Sequence, residues 1–316
     1  MYYIVTGAAG FIGSNIVKEL NNRGIDDIIA VDDMTIGDKC KNLADCRIAD
    51  YLDIDEFAQI CDNMVKINNI KAVIHNGACA DTMEYDGRYM MRRNFTYSKR
   101  VFNWCRNFNL PMIYASSASV YGVGKIAKED PSYEHPINVY AYSKLSFDQY
   151  IRKQYSTCCN SVVGLRYFNV YGTRESSKGK MASMVYQLAR QLVTNGTAKL
   201  FTGTDGYPDG GQLRDFVCVE DVAKVNLFFA DNPQIIKGVF NVGTGKARSF
   251  NDVANTLIKQ NGRGRIEYVP FPEKLKGKYQ SFTEADLTNL RQSGYKDKFL
   301  TLEEGIAKCW PCWSNE

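Results

Sequence analysis

Residues 2–13 read YYIVTGAAGFIG, and this stretch decides the fold. The apolar run at 2–6 predicts a short strand, which Gly7, Gly10 and Gly13 follow at intervals of three residues. Gly7 permits a tight turn, Gly10 leaves space for a pyrophosphate beside the backbone, and Gly13 lets a helix pack closely on the strand. The stretch therefore predicts a strand, a phosphate-binding turn and the start of a helix.

The residues after this turn complete a strand-helix-strand unit. Apolar residues recur at helical spacing within 14–24, and residues 27–34 (DIIAVDDM) predict a second strand closed by Asp32 and Asp33. An acidic residue at about this distance from the glycines accepts hydrogen bonds from an adenosine ribose, while the helix N-terminus attracts phosphates. The pattern indicates dinucleotide binding, and the alternative is a glycine-rich turn with a structural role only.

Strands alternate with helical stretches along most of the chain. Such alternation predicts an α/β fold, with a doubly wound parallel Rossmann sheet and a smaller C-terminal substrate-binding domain. Further strands are predicted within residues 46–50, 71–78, 109–122, 160–172 and 240–250.

We expect two domains that interleave in sequence without a simple linker. The dinucleotide-binding Rossmann domain takes residues 1–169 and 216–246, and the substrate-binding domain takes residues 170–215 and 247–316. The ligands should lie where the two domains meet, above the carboxyl ends of the strands.

Composition and charge exclude several classes of function. The 316 residues are 45% hydrophobic, and the net charge of +4 includes no long basic run. We therefore expect a substantial core and no nucleic-acid partner. The N-terminus lacks a signal-peptide pattern, and no apolar run approaches the ~20 residues of a membrane span. These features predict a cytoplasmic protein without a membrane partner.

The ten cysteines are irregularly spaced and do not form the pattern of a disulfide framework. Cys309 and Cys312 form the one CxxC motif, but a zinc site there lacks ligands because the chain has only two histidines, His75 and His135. We expect reduced thiols and no metal site.

A tyrosine and a lysine lie one helical turn apart within residues 138–144, NVYAYSK. Tyr140 and Lys144 share a helix face, whereas Tyr142 points elsewhere. A tyrosine with an ordinary pKa of ~10 is a poor base at neutral pH, and a nearby ammonium lowers that pKa. Such a pair also arises by chance in many proteins, so the rest of the chain has to decide its role.

The order of the motifs resembles the extended short-chain dehydrogenase/reductase superfamily over nearly the whole chain. The resemblance implies that Tyr140 is the catalytic tyrosine, that Lys144 supports it and holds the nicotinamide ribose, and that Ser117 binds the reacting oxygen. The motifs, besides the glycine-rich turn and this pair, are VIHNGA (73–78), YASSASVYG (114–122), LRYFNVYG (165–172) and RDFVCVEDVA (214–223).

Four longer blocks, 75–94, 138–150, 172–188 and 269–295, resemble the ADP-L-glycero-D-manno-heptose 6-epimerase family. This implies inversion of C6″ in ADP-D-glycero-β-D-manno-heptose through a transient 6″-ketone, for lipopolysaccharide core biosynthesis. In 4,6-dehydratases of the superfamily an Asp-Glu pair follows the serine position. Here Ala118 and Ser119 stand there and cannot do that acid/base work, so a dehydratase is not expected. The alternatives are another nucleotide-sugar epimerase of the 4-epimerase type, a reductase, or a non-catalytic nucleotide sensor.

Inversion needs acid/base groups on two sides of the carbon, because the oxygen moves relative to the ring. The resemblance implies Tyr140 on one side and Lys178, in SSKGKMAS, on the other. A lysine can donate a proton here if burial lowers its pKa. The alternative is that Lys178 is a solvated loop lysine. Lys180, two residues on, occupies a position where the family often has serine.

The resemblance also implies a set of cofactor-binding residues. Asp32 alone favours NAD because it repels a 2′-phosphate, whereas Lys39 matches a lysine that meets this phosphate in the family. Ile54 takes the place of the family's second such lysine. The resemblance favours NADP, with NAD as the alternative. The expected residues are Gly7, Gly10, Phe11, Ile12, Gly13, Asp32, Asp33, Lys39, Asn76, Gly77, Ala78, Cys79, Ala80, Lys144, Val170 and Lys178.

Substrate-binding positions of the family are matched less closely. Arg214 suits a diphosphate because a guanidinium can bind two phosphate oxygens, and the alternative is an ordinary ion pair with Asp215. Gln187 replaces a histidine of relatives, and the loop at 206–212 is longer than in some. The family forms homo-oligomers, typically pentamers. The expected substrate-binding residues are Asn169, Lys180, Gln187, Phe201, Gly203, Thr204, Arg214 and Tyr279.

Overall fold

The computed structural model of the protein describes residues 1–232, 234–273 and 279–315. Its strands are β1 (Tyr2–Thr6), β2 (Ile28–Asp32), β3 (Asp50–Asp53), β4 (Ile70–His75), β5 (Met112–Ser117), β6 (Val162–Tyr167), β7 (Asn169–Tyr171), β8 (Thr197–Phe201), β9 (Leu213–Arg214), β10 (Phe216–Cys218), β11 (Lys237–Val242), β12 (Arg248–Ser249) and β13 (Arg265–Val269).

The α-helices are α1 (Phe11–Asn22), α2 (Ile54–Asp62), α3 (Gly87–Met90), α4 (Tyr97–Asn107), α5 (Val139–Arg152), α6 (Met184–Asn195), α7 (Val219–Asp231), α8 (Phe250–Asn261), α9 (Thr288–Gln292) and α10 (Leu302–Trp313). A π-helical turn, Met91–Thr96, joins α3 to α4. Short 3₁₀ helices occupy Gly37–Asn42, Ala118–Tyr121, Pro131–Tyr133 and Ser176–Met181.

Seven parallel strands form the central sheet in the order β11-β6-β5-β4-β1-β2-β3. The chain builds β1, β2 and β3 in one direction and then returns to place β4 on the other side of β1. Helices cover both faces, with α1 and α7 on one and α2, α4 and α5 on the other. The predicted doubly wound α/β fold is confirmed. The reversal between β1 and β4 opens a crevice above their carboxyl ends, which is where ligands of such sheets bind.

Helix α1 shows why the local sequence forms this layer. Its apolar residues Ile16, Val17 and Leu20 are fully buried against the sheet, at the spacing of one helical face. Burial of each such side chain stabilises the fold by about 1.5–3 kcal/mol relative to exposure. The packing of α1 therefore fixes the position of the turn that precedes it.

The predicted strand at 46–50 is wrong in its position, because β3 begins only at Asp50. The Asn21 side chain explains the shift. Its Oδ1 accepts from the Arg47 N–H at 2.7 Å, and its Nδ2 donates to the Arg47 carbonyl at 2.8 Å. These two bonds occupy the backbone N–H and carbonyl of Arg47. In the register that pairs Ile29 with Asp50, the position opposite Arg47 also precedes the start of β2 at Ile28. The predicted strands at 160–172 and 240–250 are also shorter than expected, since 160–172 divides into β6 and β7 and β11 ends at Val242.

A second hydrophobic cluster lies outside the central sheet. Helices α6, α8 and α10 pack there with β8 and β10, around buried residues such as Leu188, Leu257 and Trp313. The strands pair as β7 with β10, β8 with β13 and β9 with β12. We propose that this cluster is the core of the substrate-binding domain expected from the sequence.

The ten cysteines are all free thiols, and Cys309 is buried in α10 whereas Cys312 is exposed. The described residues contain no group of three or more His, Cys, Asp or Glu side chains that could hold a metal ion. Within the same ranges, no helix has the length and apolar character to cross a bilayer.

Candidate active site

The glycine-rich turn between β1 and α1 is built for close approach. Gly7 has φ +68°, and a Cβ atom there would lie 2.8 Å from the backbone nitrogen of Gly77. A Cβ atom on Gly13 would lie 2.0 Å from the carbonyl oxygen of Gly7. The N-cap of α1 is Gly10, no side chain caps the helix, and its first turn has no acidic residue. The first N–H groups of α1 are therefore open to an anion.

The acidic end of β2 lies beside this turn. Asp32 Oδ2 accepts from the Ala9 N–H at 2.7 Å, and Asp32 Oδ1 accepts from Lys39 Nζ at 2.8 Å. Asp33 Oδ2 accepts from Arg93 Nη2 at 3.0 Å. Hydrogen bonds from Thr35, together with the Arg93 guanidinium, lower the pKa of Asp33 to about 2. Two carboxylates and two cations thus meet where a ribose would lie.

A cleft crosses the carboxyl ends of the strands at this point. Two buried polar atoms on its wall, Asn76 Nδ2 and Tyr97 Oη, have no hydrogen-bond partner in the described structure. Together with the open N-terminus of α1, they fit a bound dinucleotide. The predicted residues that line this cleft are Gly7, Gly10, Phe11, Ile12, Gly13, Asp32, Asp33, Lys39, Asn76, Gly77, Ala78, Ala80, Lys144 and Lys178.

Two predicted cofactor residues do not line this cleft. The backbone of Cys79 is held by Asn94, which accepts from the Cys79 N–H at 2.8 Å and donates to its carbonyl at 3.0 Å. Val170 lies instead on the wall of a second, adjoining cleft.

Helix α5 places the tyrosine and the lysine. It begins at Val139, and the Asn138 side chain caps it by accepting from the Ala141 N–H at 2.8 Å. Lys144 lies one turn after Tyr140, is 7% exposed, and donates from Nζ to the Ala115 carbonyl at 2.9 Å. Burial lowers the pKa of Lys144 to about 8, although the Asp148 carboxylate opposes this shift. Tyr142 is 54% exposed, as its position on the helix predicted.

Burial is the main influence on the pKa of Tyr140. Burial raises it above the ordinary value of a tyrosine, and a hydrogen bond with Ser117 opposes the shift without overcoming it. Ser117 Oγ also accepts from the backbone N–H of Ser119 at 3.2 Å, which orients the hydroxyl. The sequence predicted that the Lys144 ammonium and the positive nicotinamide ring together lower this pKa. In the structure the Lys144 ammonium donates to the Ala115 carbonyl, and the contribution of the nicotinamide ring stays a prediction.

Lys178 lies in the 3₁₀ helix Ser176–Met181 and is half-buried, with Nζ 5.2 Å from the centre of the Phe11 ring. Burial lowers the pKa of Lys178, while the Glu175 carboxylate opposes the shift. Glu175 is itself buried and accepts from the Gly172 N–H at 2.8 Å and the Ser183 N–H at 2.6 Å. The hydrogen bonds of Glu175 hold this segment in place, so Lys178 lies beside the cleft in a defined position. This differs from the alternative of a solvated loop lysine.

The second cleft shares one wall with the first. Tyr140 and Lys178 both lie on the shared wall, and Ser117 lies on the second cleft beside them. The shared wall thus carries three titratable side chains, Tyr140, Lys178 and Tyr167, and the Tyr167 hydroxyl is already hydrogen-bonded with Asn76 and Asn226. The predicted substrate residues on the second cleft are Asn169, Arg214 and Tyr279.

Arg214 is the buried cation of this second cleft. Its guanidinium lies 4.7 Å from the centre of the Tyr279 ring and 5.7 Å from that of Phe250. Burial lowers its pKa, but arginine stays charged at neutral pH. The Asp215 carboxylate accepts from the N–H groups of Thr244, Gly245 and Ala285, and it forms no ion pair with Arg214 in the described ranges. The guanidinium is thus available to an anionic ligand.

The other predicted substrate residues lie outside the two clefts. Lys180 is exposed, and Gln187 Nε2 donates to the Ala182 carbonyl at 2.7 Å. The Phe201 ring contacts Phe271, which in turn contacts Tyr279, so Phe201 approaches the second cleft only through other rings. Gly203 and Thr204 lie in the loop that follows β8, away from both walls. Their roles in binding stay predictions.

Comparison with known proteins identifies the family. Residues 3–243 match the NAD dependent epimerase/dehydratase family. The chain belongs to this family. Members of this family depend on a nicotinamide cofactor. The predicted use of a nicotinamide cofactor is therefore confirmed.

Similar proteins show which kind of epimerase the chain resembles. The ADP-L-glycero-D-manno-heptose-6-epimerase of Alkalilimnicola ehrlichii is 53% identical over 303 residues, 96% of this chain and 94% of that protein. The protein of the same name from Thiobacillus denitrificans is 51% identical over 322 positions, 97% of each chain. The crystal structure of the Helicobacter pylori ADP-L-glycero-D-manno-heptose-6-epimerase superposes with a TM-score of 0.85 at 30% identity, covering 99% of this chain and 96% of that one. The predicted resemblance to these epimerases is confirmed.

The structure adds cleft residues of this epimerase that the sequence did not single out. Arg93 and Tyr97 line the first cleft, and Thr82, Phe250 and Gln280 line the second. Arg93 and Thr82 fall within the distinctive block 75–94 and Gln280 falls within the block 269–295, so these blocks were the available signal. The other residues reach the clefts through packing that no short motif records.

Proposed function

We propose that this epimerase inverts C6″ of the heptose in ADP-D-glycero-β-D-manno-heptose to give ADP-L-glycero-β-D-manno-heptose, in lipopolysaccharide core biosynthesis. The observation that carries the proposal is the shared wall, where Tyr140 and Lys178 face both the dinucleotide cleft and the second cleft. The names of relatives that are 51–53% identical support the choice of substrate.

The chemistry requires groups on two sides of one carbon. Inversion at a carbon bearing a hydroxyl removes its hydrogen and returns it to the opposite face, through a ketone whose oxygen changes position. When bound, a nicotinamide accepts and returns this hydride. The hydroxyl proton must leave as the ketone forms and must return as the ketone is reduced. Tyr140 would hold that proton in one orientation of the sugar, and Lys178 would donate it in the other.

The environments of the two residues suit these roles. Burial lowers the pKa of Lys178, which makes its ammonium a better proton donor near neutral pH. Ser117 shares a hydrogen bond with Tyr140 and would hold the substrate oxygen beside the phenol. Lys144, buried behind Tyr140, would contribute positive charge and bind the ribose hydroxyls of the nicotinamide half.

Substrate orientation would depend on the second cleft. The Arg214 guanidinium, fixed between two aromatic rings, offers paired donors to a diphosphate. Asn169 and Tyr279 line the same space and can bind the nucleotide or sugar. Lys180, Gln187, Phe201, Gly203 and Thr204 remain proposed contacts on the basis of the family resemblance.

We also propose NADP as the cofactor, a cytoplasmic location and a homo-oligomeric assembly. Lys39 lies against Asp32 at the ribose end of the cleft, where it neutralises the carboxylate that would otherwise repel a 2′-phosphate. Titration of the purified protein with NADP and NAD tests the cofactor, and tighter binding of NAD would reject it. Light scattering of the purified protein measures the assembly.

The activity is tested by mixing the purified protein with ADP-D-glycero-β-D-manno-heptose, without added cofactor, and following C6″ by NMR. Conversion to a mixture of both epimers without net change in NADP(H) is the expected result. The variant Tyr140→Phe should lose this conversion, while Tyr142→Phe, at an exposed position of the same helix, should keep it. No conversion by the wild type, even with NADP or NAD present, would reject the substrate and direct the search to 4-epimerase substrates.

A further inference from the structure

We propose that Arg93, acting with Lys39, recognises the 2′-phosphate of NADP and thereby selects NADP over NAD. The inference rests on the proposed function, in which the first cleft binds the dinucleotide. Arg93 lies far from Lys39 in sequence, on a different helical segment, and the fold brings both to the end of β2.

The position of Arg93 follows from the π-helical turn between α3 and α4. Such turns are rare and occur frequently at functional sites. Asn94, the next residue, is buried, and its Nδ2 donates to the Cys79 carbonyl and to Ser143 Oγ, each at 3.0 Å. This anchor fixes the turn against the sheet. Arg93 then extends into the cleft, where Nη2 donates to Asp33 Oδ2 at 3.0 Å.

The two carboxylates hold the two cations in place. Lys39 Nζ donates to Asp32 Oδ1 at 2.8 Å and to the Asp33 carbonyl at 2.7 Å. Asp33 stays ionised at any ordinary pH, because its pKa is lowered to about 2. An ammonium has three donors and a guanidinium five, so both cations keep N–H groups for a further anion. Each cation is about 30% exposed, on the cleft side, which leaves these donors accessible.

The same contacts disfavour the simple ribose of NAD. In NAD-binding sites an acidic residue accepts from the ribose hydroxyls. Here Asp32 Oδ1 already accepts from both Lys39 and the Asp33 N–H, and Asp32 Oδ2 accepts from the Ala9 N–H. Lys39 and Arg93 pair with Asp32 and Asp33, so these two carboxylates no longer stand as unpaired negative charges against a phosphate. A guanidinium can bind two oxygens of that phosphate at once.

Ile54 takes the place of the second lysine that the family uses for the 2′-phosphate, and its apolar side chain carries no positive charge. It begins α2 directly after β3 and presents an apolar side chain to the same space. Such a surface suits the flat face of an adenine. A second positive charge instead reaches the end of β2 through Arg93, which pairs with Asp33.

The test compares binding of NADP and NAD to Arg93→Gln, Lys39→Gln and a matched control, Arg92→Gln. Arg92 is the preceding residue of the same π-helical turn and is exposed. Calorimetric titration of the full chain, freed of bound nucleotide, gives both dissociation constants without reference to activity. Loss of one charged hydrogen bond to the phosphate should weaken NADP binding roughly 10- to 100-fold in Arg93→Gln and in Lys39→Gln. NAD binding should stay unchanged in Arg93→Gln and should tighten in Lys39→Gln, because Asp32 Oδ1 then loses its bond from the Lys39 ammonium and can accept from the ribose. Both constants of Arg92→Gln should stay unchanged.

The outcomes separate this inference from the proposed function. If the wild type binds neither dinucleotide, the proposed function fails and the inference with it. If the wild type prefers NADP and Arg93→Gln keeps the same preference, only the inference is overturned. Equal weakening of NADP and NAD by Arg93→Gln would also overturn it, because Arg93 would then act on a part that both cofactors share. Partial recovery of the preference by Arg93→Lys would support a role of charge at this position.

Discussion

Replacement of Lys178 by methionine tests the two-sided mechanism most directly. Methionine keeps an unbranched apolar side chain beside the Phe11 ring but removes the proton and the charge. In the proposed reaction Lys178→Met can still form the complex, because the diphosphate is held by Arg214 in another part of the second cleft. It cannot donate the proton that the returning ketone oxygen requires.

The expected size of the effect follows from the role. General acid catalysis contributes about 10²- to 10⁴-fold, so kcat should fall by that factor, equivalent to about 3–5 kcal/mol of barrier. The stability should change little. The lost contact of the ammonium with Phe11 costs at most about 2 kcal/mol, and removal of a partly buried charge offsets part of it. Substrate affinity should also stay close to that of the wild type.

The assay follows C6″ inversion by NMR together with binding of the ADP-sugar by calorimetry. Lys180→Met is the matched control, because Lys180 belongs to the same 3₁₀ helix but is exposed and outside both clefts. The kcat of Lys180→Met at saturating substrate should equal that of the wild type, whereas any loss of its proposed substrate contact would change only the affinity for the ADP-sugar. Near-normal kcat for Lys178→Met, or an equal loss in Lys180→Met, would refute the assignment of Lys178 as the second acid/base group.

Three further variants have definite expected results. Gly13→Ala should abolish tight nucleotide binding, because its Cβ would lie 2.0 Å from the Gly7 carbonyl oxygen, and such overpacking costs about 1–3 kcal/mol of stability; thermal unfolding with and without NADP measures both effects. Glu175→Gln should lower the pKa of Lys178 further, because the carboxylate is the group that opposes the effect of burial, and the alkaline limb of the pH profile of kcat should move to lower pH. Lys144→Met should unfold less readily than the wild type at pH 7, by up to about 3 kcal/mol, because burial lowers the pKa of Lys144 from 10.5 to about 8. Between these two values the unfolded chain binds more protons than the folded one, so the wild type gains stability as the pH rises and the advantage of the variant shrinks; a constant difference in free energy of unfolding from pH 7 to 10 would contradict this account.

The fold could be predicted because its signals are local. The spacing of Gly7, Gly10 and Gly13, the apolar face of α1 and the acid at Asp32 all lie within about thirty residues, and each reflects a contact between neighbouring elements. The strand at 46–50 was misplaced for the opposite reason. The backbone N–H and carbonyl of Arg47 are hydrogen-bonded to the side chain of Asn21, a residue of α1 that lies outside this segment in sequence.

The site was predicted in part, and the limits have physical causes. Motif positions singled out Tyr140, Lys144 and Lys178, and the structure places all three on the first cleft, while their catalytic roles stay predictions. Burial lowers the pKa of Lys178, which is the condition that the sequence set for its role. The raised pKa of Tyr140 and the lowered pKa of Lys144 were not predicted, because both follow from burial and burial depends on the whole fold. Arg93 was missed because its partner, Asp33, lies sixty positions away in the chain.

The arginine held between Tyr279 and Phe250 has a consequence for how a sugar could be turned over inside the protein. Two rings and a backbone carbonyl restrict this guanidinium, so a diphosphate bound to it becomes a fixed pivot. The sugar can then rotate within the site while the diphosphate and the nucleotide keep their positions. In the proposed reaction the enzyme should therefore tolerate changes at the far end of the sugar much better than changes at the nucleotide. Analogues with a shortened side chain beyond the reacting carbon should still bind, and analogues without the diphosphate should not.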